Sequence, residues 1–206
     1  ETDGKQGKRK EVLLIGCYVD DLFTAYSHDD EQSLYREFVA SLENCWDVED
    51  EGEVSDLLNV EIERKDNIVS LHQRSYIEKM CSYHFKDGVP STSSQAHKTP
   101  CGTNLEGLVL EALEMVDAPD EKLLKEYQTI VGGLLYCSTN TRPDITFAVG
   151  MLCRAMSRPT PDLLEAASRV LGYLYRTRDL GLNYVGEAKP LRGMTDANWA
   201  TKHSTS

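Results

Sequence analysis

The sequence predicts an α+β fold. Three observations carry the prediction: an apolar run broken by two aspartates near the N-terminus, a second pair of alternating segments over residues 58–71, and three stretches of helical period in the C-terminal half. The expected strands of the first half pair as hairpins, as in an α+β fold, with helices beside them.

Residues 1–10 are polar and rich in Gly and Lys and read as a flexible tail. Val12 to Val19 is apolar and β-prone, Leu22 to Ala25 is a second short apolar run, and Asp20 and Asp21 stand between them. Two short strands joined by an acidic turn make a β-hairpin. The first run has no polar alternation, so it is expected to be buried on both faces as the central strand of a covered sheet. Residues 30–46 follow the helical period through Leu34, Phe38, Leu42 and Cys45/Trp46, with Ser27 or Asp29 as the cap. Leu58, Val60 and Ile62 alternate with polar residues, Asp66-Asn67 reads as a tight turn, and Val69 and Leu71 alternate again, giving a second hairpin. Tyr76 to Phe85 reads as a short helix with Ile77, Met80, Cys81 and His84 near one face.

Residues 86–121 begin with a Ser-, Thr-, Gly- and Pro-rich stretch and read as a loop or linker. Leu123 to Tyr136 is helical, with Leu124, Tyr127, Val131, Leu134 and Leu135 inward. Thr141-Arg142-Pro143-Asp144 opens the next helix, which continues from Ile145 to Met156: Thr can cap, Pro fixes φ in the first turn, and Asp suits the positive end of the dipole. Pro159 and Pro161 break it. Asp162 to Arg176 forms a further helix whose apolar stripe is Leu163, Ala167, Val170, Leu171 and Leu174. Arg169, Arg176 and Arg178 face either a polyanion or water, with water the simpler reading. Leu182–Val185 and Leu191–Thr195 read as strands.

The chain has 206 residues and a net charge of −12, with no apolar run near the ~20 residues that span a bilayer. No signal-like arrangement opens it. Its six cysteines lie 16 or more residues apart, which matches no zinc or redox motif and suits reduced thiols in an intracellular protein. Residues 1–126 hold 13 basic and 28 acidic residues, a net of −15, whereas residues 127–206 hold 9 and 6, a net of +3. The acidic balance argues against a self-sufficient nucleic-acid binder, and the asymmetry predicts two parts with different partners. Glu43 to Asp56 carries seven carboxylates without Lys or Arg and reads as a solvated loop and helix end.

The sharpest chemical feature is Tyr18-Val19-Asp20-Asp21. As bare chemistry it has two readings. Asp is a good turn residue, so the pair can be an exposed acidic turn. Adjacent carboxylates at the end of a buried strand also repel one another, and a divalent cation such as magnesium resolves that conflict. Two ions ~4 Å apart can clamp a phosphoryl transfer, but such a site needs a third acidic ligand from another element. A stand-alone magnesium phosphotransferase is disfavoured, since no phosphate-cradling Gly-rich loop is present.

GCYVDDLFTA resembles the YxDD active-site hairpin of reverse transcriptases. DEGEVSDLLNVEIERKDNIVSLHQRSYIEKM is similar to the segment that follows the palm carboxylates, and KEYQTIVGGLLYCSTNTRPDITFAVGMLCRAMSRPTPDLLEAASRVLGYLYRTRDLGLNY to a helical thumb or connection. LRGMTDANWA resembles the first strand of a ribonuclease H domain. Together, over residues 12–206, they resemble the polyprotein of copia-type long-terminal-repeat retrotransposons. The resemblance implies a partial reverse-transcriptase palm over residues 11–85, a linker over 86–121, a helical thumb or connection over 122–185 and the start of a ribonuclease H-like domain over 186–206. It places Asp20 and Asp21 on the magnesium-binding catalytic pair, Tyr18 beside the primer terminus on the nucleic acid, and Asp196 on the first catalytic, metal-binding carboxylate of ribonuclease H. The implied partners are RNA template, DNA primer, RNA–DNA hybrid, deoxynucleotides and the rest of the polyprotein, with no membrane, in the cytoplasm or a virus-like particle.

The departures from the family pattern matter equally. The family's other palm aspartate precedes YxDD, upstream of this chain. Asn59 stands where the family has Gly in the turn that guides the primer, and Asn tolerates left-handed φ better than most residues. Asn198 stands where the family has Asp, and the remaining ribonuclease H carboxylates fall beyond Ser206. Both active sites are therefore expected to be incomplete in this chain, as in a fragment without activity of its own. The competing expectation is a non-catalytic acidic module that binds protein, favoured by the net −15 over residues 1–126.

Overall fold

The computed structural model describes residues 10–86, 88, 98–186 and 193–195. It is α+β, with two small antiparallel sheets and six α-helices among the described residues. The chain divides into two compact units, Glu1–Ser55 and Asp56–Ser206. The division falls inside the stretch 11–85 that the sequence groups as one segment.

The first unit contains the hairpin of β1 (Leu13–Tyr18) and β2 (Asp21–Tyr26), followed by α1 (Leu34–Glu43). The register runs from Leu13 opposite Tyr26 to Tyr18 opposite Asp21. At the open end Ser27 closes the ladder: its N–H donates to Val12 O, and Val12 N–H donates to its Oγ, both at 3.0 Å. Gly16 lies opposite Phe23, whose ring occupies the space where a Cβ would sit. The absence of a side chain at residue 16 thus lets an aromatic ring cover the β1 backbone.

The expected burial of β1 on both faces is not found. Leu14 is 64% exposed and Ile15 49%. The reason is topological: β1 and β2 form a two-stranded sheet, and among the described residues neither has a second strand neighbour. Helix α1 also differs from expectation. It starts at Leu34, and Ser33 is its cap, accepting from Arg36 N–H, while Ser27 closes the hairpin and Asp29 takes the Arg36 guanidinium. The Leu34/Phe38/Leu42/Trp46 stripe is not a core face, since Leu34 is 45% and Trp46 64% exposed. Tyr35, off that stripe, is the buried residue of α1. Its ring stacks on Tyr26 with centroids 4.0 Å apart, and its hydroxyl donates to Asp50 at 2.8 Å. Burial first, then that hydrogen bond, pushes the Tyr35 hydroxyl up to about 12.

The second unit carries a four-stranded antiparallel sheet of order β3-β4-β5-β6, with β3 Asp56–Leu57, β4 Val60–Lys65, β5 Ile68–His72 and β6 Leu182–Val185. Two-residue connections, Leu58-Asn59 and the expected Asp66-Asn67, join its first three strands. Five helices complete the unit: α2 (Arg74–His84), α3 (Leu105–Glu114), α4 (Glu121–Asn140), α5 (Thr146–Arg154) and α6 (Pro161–Arg176). Helix α4 runs through the middle of their shared core, where Tyr127, Val131, Leu134 and Cys137 are fully buried. The α6 stripe predicted from the sequence is 0% exposed at all five positions. Thr160 caps α6 through its Oγ1, and Pro161 fills its first turn.

Three sequence expectations are corrected in this unit. The loop reading of 86–121 fails at α3, where Leu105, Val109 and Ala112 bury one face at spacings of four and three. On α4 Leu135 is 42% exposed and Ile130 takes the inward place, because residue 135 lies one helical step beyond the Val131–Leu134 face. Thr141 ends α4 and does not cap the next helix; its hydroxyl donates to Gln73 Oε1 at 2.9 Å, and a 3-10 turn over Pro143–Ile145 precedes α5. The strand expected over Leu191–Thr195 is described only at 193–195, which are not in a strand. Arg178 and Arg169 are held within the protein: Arg178 meets Glu78 at 2.8 Å, and Arg169 donates to Thr99 at 2.9 Å. No helix among the described residues is long and apolar enough to cross a membrane.

Candidate functional site

The YVDD sequence forms the tip of the β1–β2 hairpin. Tyr18 and Asp21 are a directly opposed pair, so Val19 and Asp20 make a two-residue connection. Opposed residues share a face of the ribbon, so Tyr18 and Asp21 lie on one face. Asp20 and Asp21 are both exposed, as are Tyr18 (51%) and Val19 (83%). Tyr18, Asp20 and Asp21 are therefore all accessible at the tip.

The turn is strained at one point. Val19 has φ +56°, a left-handed conformation in which a β-branched side chain is crowded. Val19→Gly is therefore expected to strengthen the hairpin by roughly 0.5–1 kcal/mol, the left-handed penalty less the extra entropy of Gly. Amide exchange across the β1–β2 pairs should slow two- to five-fold, roughly the equilibrium factor of that energy. Unchanged or faster exchange would show that the Val19 conformation carries no penalty.

The donor set does not complete a magnesium centre. Among the described residues no group of three or more His, Cys, Asp and Glu side chains converges. Asp20 and Asp21 supply two carboxylates, both open to water, and a two-metal site requires more. Asp196, the expected ribonuclease H carboxylate, lies outside the described residues, as does Asn198.

Two constellations in the second unit have long-range partners that escaped sequence reasoning. Arg142 is 1% exposed, and its guanidinium grips Asp144 with two hydrogen bonds at 2.9 and 2.8 Å. It also donates to Thr177 O at 3.0 Å and Thr177 Oγ1 at 2.6 Å, so it satisfies the C-terminus of α6. Tyr173 adds a hydroxyl bond to Asp144 at 2.9 Å. Burial pushes the Asp144 carboxyl up, but the bonds from Arg142 and Tyr173 outweigh it and hold it below the usual carboxylate range.

The second constellation is the β3–β4 turn. Leu58 (φ +54°) and Asn59 (φ +61°) are both left-handed, the arrangement of a type I′ turn. Asn59 thus adopts the left-handed conformation that Asn tolerates better than most residues. The Leu58 carbonyl accepts a hydrogen bond from the Tyr136 hydroxyl of α4. No local pattern could reveal that pairing, since the partners lie 78 residues apart.

The chain is similar to known proteins over most of its length. It is 31% identical over 173 residues to a transposon Ty5-1 protein of Saccharomyces cerevisiae, covering 84% of this chain and 52% of that protein. It is 29% identical over 204 residues to the retrovirus-related Pol polyprotein from transposon TNT 1-94 of Nicotiana tabacum, covering 95% of this chain and 14% of the polyprotein. A retrovirus-related Pol polyprotein from transposon RE1 of Arabidopsis thaliana is 28% identical over 193 residues, 93% of this chain and 12% of its own length. The chain thus spans about half of the yeast relative (52%) and a small share of the plant polyproteins. No family model and no solved structure matches it. The chain is a homologue of retrotransposon Pol polyproteins over most of its length, in keeping with the copia-type resemblance of its motifs.

Proposed function

We propose that the chain is a stretch of a copia-type reverse transcriptase followed by the start of its ribonuclease H, and that it serves RNA-directed DNA synthesis only within a longer polyprotein. In this reading residues 11–85 belong to the palm, 122–185 to the thumb or connection, and 186–206 to the ribonuclease H start. Asp20 and Asp21 are two of the carboxylates that hold magnesium, Tyr18 lies against the primer terminus, and Asp196 serves the ribonuclease H. The observation that carries the reading is the hairpin tip. An adjacent carboxylate pair and an aromatic ring are presented together on a two-residue turn, in a chain whose relatives are Pol polyproteins. Template, primer and deoxynucleotides are the partners that this chemistry serves.

The same site explains why the chain by itself is expected to be inactive. Nucleotidyl transfer by two metals needs a third carboxylate, and among the described residues none joins Asp20 and Asp21. Purified chain with magnesium, a primed RNA template and deoxynucleotides should give no primer extension. It should bind an RNA–DNA hybrid weakly, with affinity that falls as salt rises. Clear incorporation would sink the expected inactivity. Absence of hybrid binding even at low salt would sink the nucleic-acid reading in favour of an acidic protein-binding module.

A further inference from the structure

We propose that Thr99 accepts a phosphoryl group from a proline-directed protein kinase, and that the phosphate docks on Arg169 of α6. The site lies wholly within the Asp56–Ser206 unit and does not depend on the polymerase reading.

The acceptor is presented for such a reaction. Thr99 is exposed, and Pro100 follows it. A residue before proline is biased towards an extended backbone, and proline offers no N–H to tie the segment to its surroundings. Both properties suit a segment that must lie stretched in the cleft of another protein. The chain has a second Thr-Pro pair, Thr160-Pro161, with a different setting. Thr160 Oγ1 accepts from Leu163 N–H at 3.2 Å as the cap of α6, and Pro161 belongs to the first helical turn. That pair cannot be drawn out without unwinding the start of the helix.

The receptor for the phosphate already stands beside the Thr99 hydroxyl. Arg169 Nη2 donates to Thr99 Oγ1 at 2.9 Å, and the hydroxyl donates to Cys101 O at 3.2 Å. Arg169 has a donor to spare, since its Nε is buried without a hydrogen-bond partner. Gly102 keeps the space next to the guanidinium clear: a Cβ there would lie 3.5 Å from Arg169 Nη1. A hydroxyl oxygen engages one arm of a guanidinium, whereas a phosphate engages two in parallel through charge-assisted bonds. Asp162 and Glu165 line the same cavity as Arg169 and oppose the phosphate, but both are exposed, so water and salt screen them.

In the transfer, Thr99 Oγ1 bonds to the γ-phosphorus of a nucleoside triphosphate, and the bond from that phosphorus to the β-phosphate oxygen breaks. The nucleoside diphosphate leaves, and the hydroxyl proton passes to the base of the kinase. The new dianion ties the segment before α3 to α6 across 70 positions of sequence.

The experiment incubates the full chain and its Arg169→Gln variant with a proline-directed kinase of the cyclin-dependent class, magnesium and ATP, and maps phosphate by tandem mass spectrometry. Thr99 should carry it and Thr160 should not. No phosphate on Thr99, or as much on Thr160 as on Thr99, overturns the acceptor site. Phosphorus NMR reads the docking. The second ionisation of a free phosphothreonine lies at about pH 6, and Arg169 should hold it below that in the wild type by favouring the dianion. In the phosphorylated Arg169→Gln chain it should return to about 6 or above. Phosphorylation should also raise the melting temperature of the wild type by about 2–4 °C and leave that of the variant unshifted. A wild-type phosphate that titrates at about 6 overturns the docking whether or not the variant folds, and so does an equal melting shift in the two chains.

Discussion

Arg142→Ala lowers the stability of the Asp56–Ser206 unit by about 3 kcal/mol, the lower end of what breaking a buried charge pair costs. The lower end applies because Asp144, with its side chain 36% exposed, can recover some hydration once its partner is gone. The Thr177 carbonyl at the end of α6 and the Tyr173 hydroxyl also lose their shared partner or its geometry. Arg142→Lys should rescue little, since an ammonium cannot make the paired bonds to Asp144 and reach Thr177 as well. The pH dependence separates this network from simple packing. Asp144 is held below its ordinary value of 3.8, so its contribution is full above that pH and is lost as the pH falls through the lower folded value. The difference between wild type and Arg142→Ala should thus be largest near neutrality and shrink below about pH 4. Urea unfolding of both proteins across that range is the measurement. A constant difference would mean that the guanidinium acts by filling space.

Gly181→Ala detaches β6 from the sheet. A Cβ at residue 181 would overlap the Leu71 carbonyl oxygen and lie 3.0 Å from His72 Cβ. The obstacle is backbone, so no side-chain rotation relieves it. Either β6 withdraws or β5 bends, at a cost on the order of 1–3 kcal/mol for an overpacked site. Withdrawal would open the pairs from Leu71–Leu182 to Ile68–Val185 and the Ser70–Asn183 side-chain bond at 2.6 Å. Amide exchange at the β5–β6 pairs should accelerate while the β4–β5 pairs hold. Gly186→Ala is the matched control, because its Cβ would meet only Asn67 O at 3.8 Å. Equal protection of β6 in the two variants would show that the contact at Gly181 can be relieved without cost.

How much could be read from the sequence depended on how locally each feature is encoded. The apolar stripe of helix α6 was legible because it lies within one continuous stretch, whereas the Thr160 cap was not read and Pro161, expected to break the preceding helix, opens α6. The β1–β2 hairpin was legible as a hairpin, yet its burial was not. Apolarity states what a strand can pack against, and the pairing of strands across a sheet decides whether a neighbour is there. Helix α3 hid behind the Ser- and Gly-rich stretch before it, although Leu105, Val109 and Ala112 carry its period. Of the candidate site, Tyr18, Asp20 and Asp21 were found together on the turn, which needs only two neighbouring strands. Tyr136 with Leu58 and Arg142 with Thr177 were beyond reach, since they join residues 78 and 35 positions apart. Such pairs have no periodicity and follow from the packing of helices.

The cysteines offer a further consequence. Cys17 and Cys45 are exposed, whereas Cys81 on α2 and Cys137 on α4 are fully buried. Burial pushes both buried thiols up to about 12. Thiolate is the form that reacts, so at neutral pH these two are shielded twice, by access and by protonation. An alkylating reagent therefore tags the first pair at once and reaches the second only when α2 and α4 come apart. The mass of the labelled chain becomes a clock for the opening of its helical core, readable without any ligand or activity.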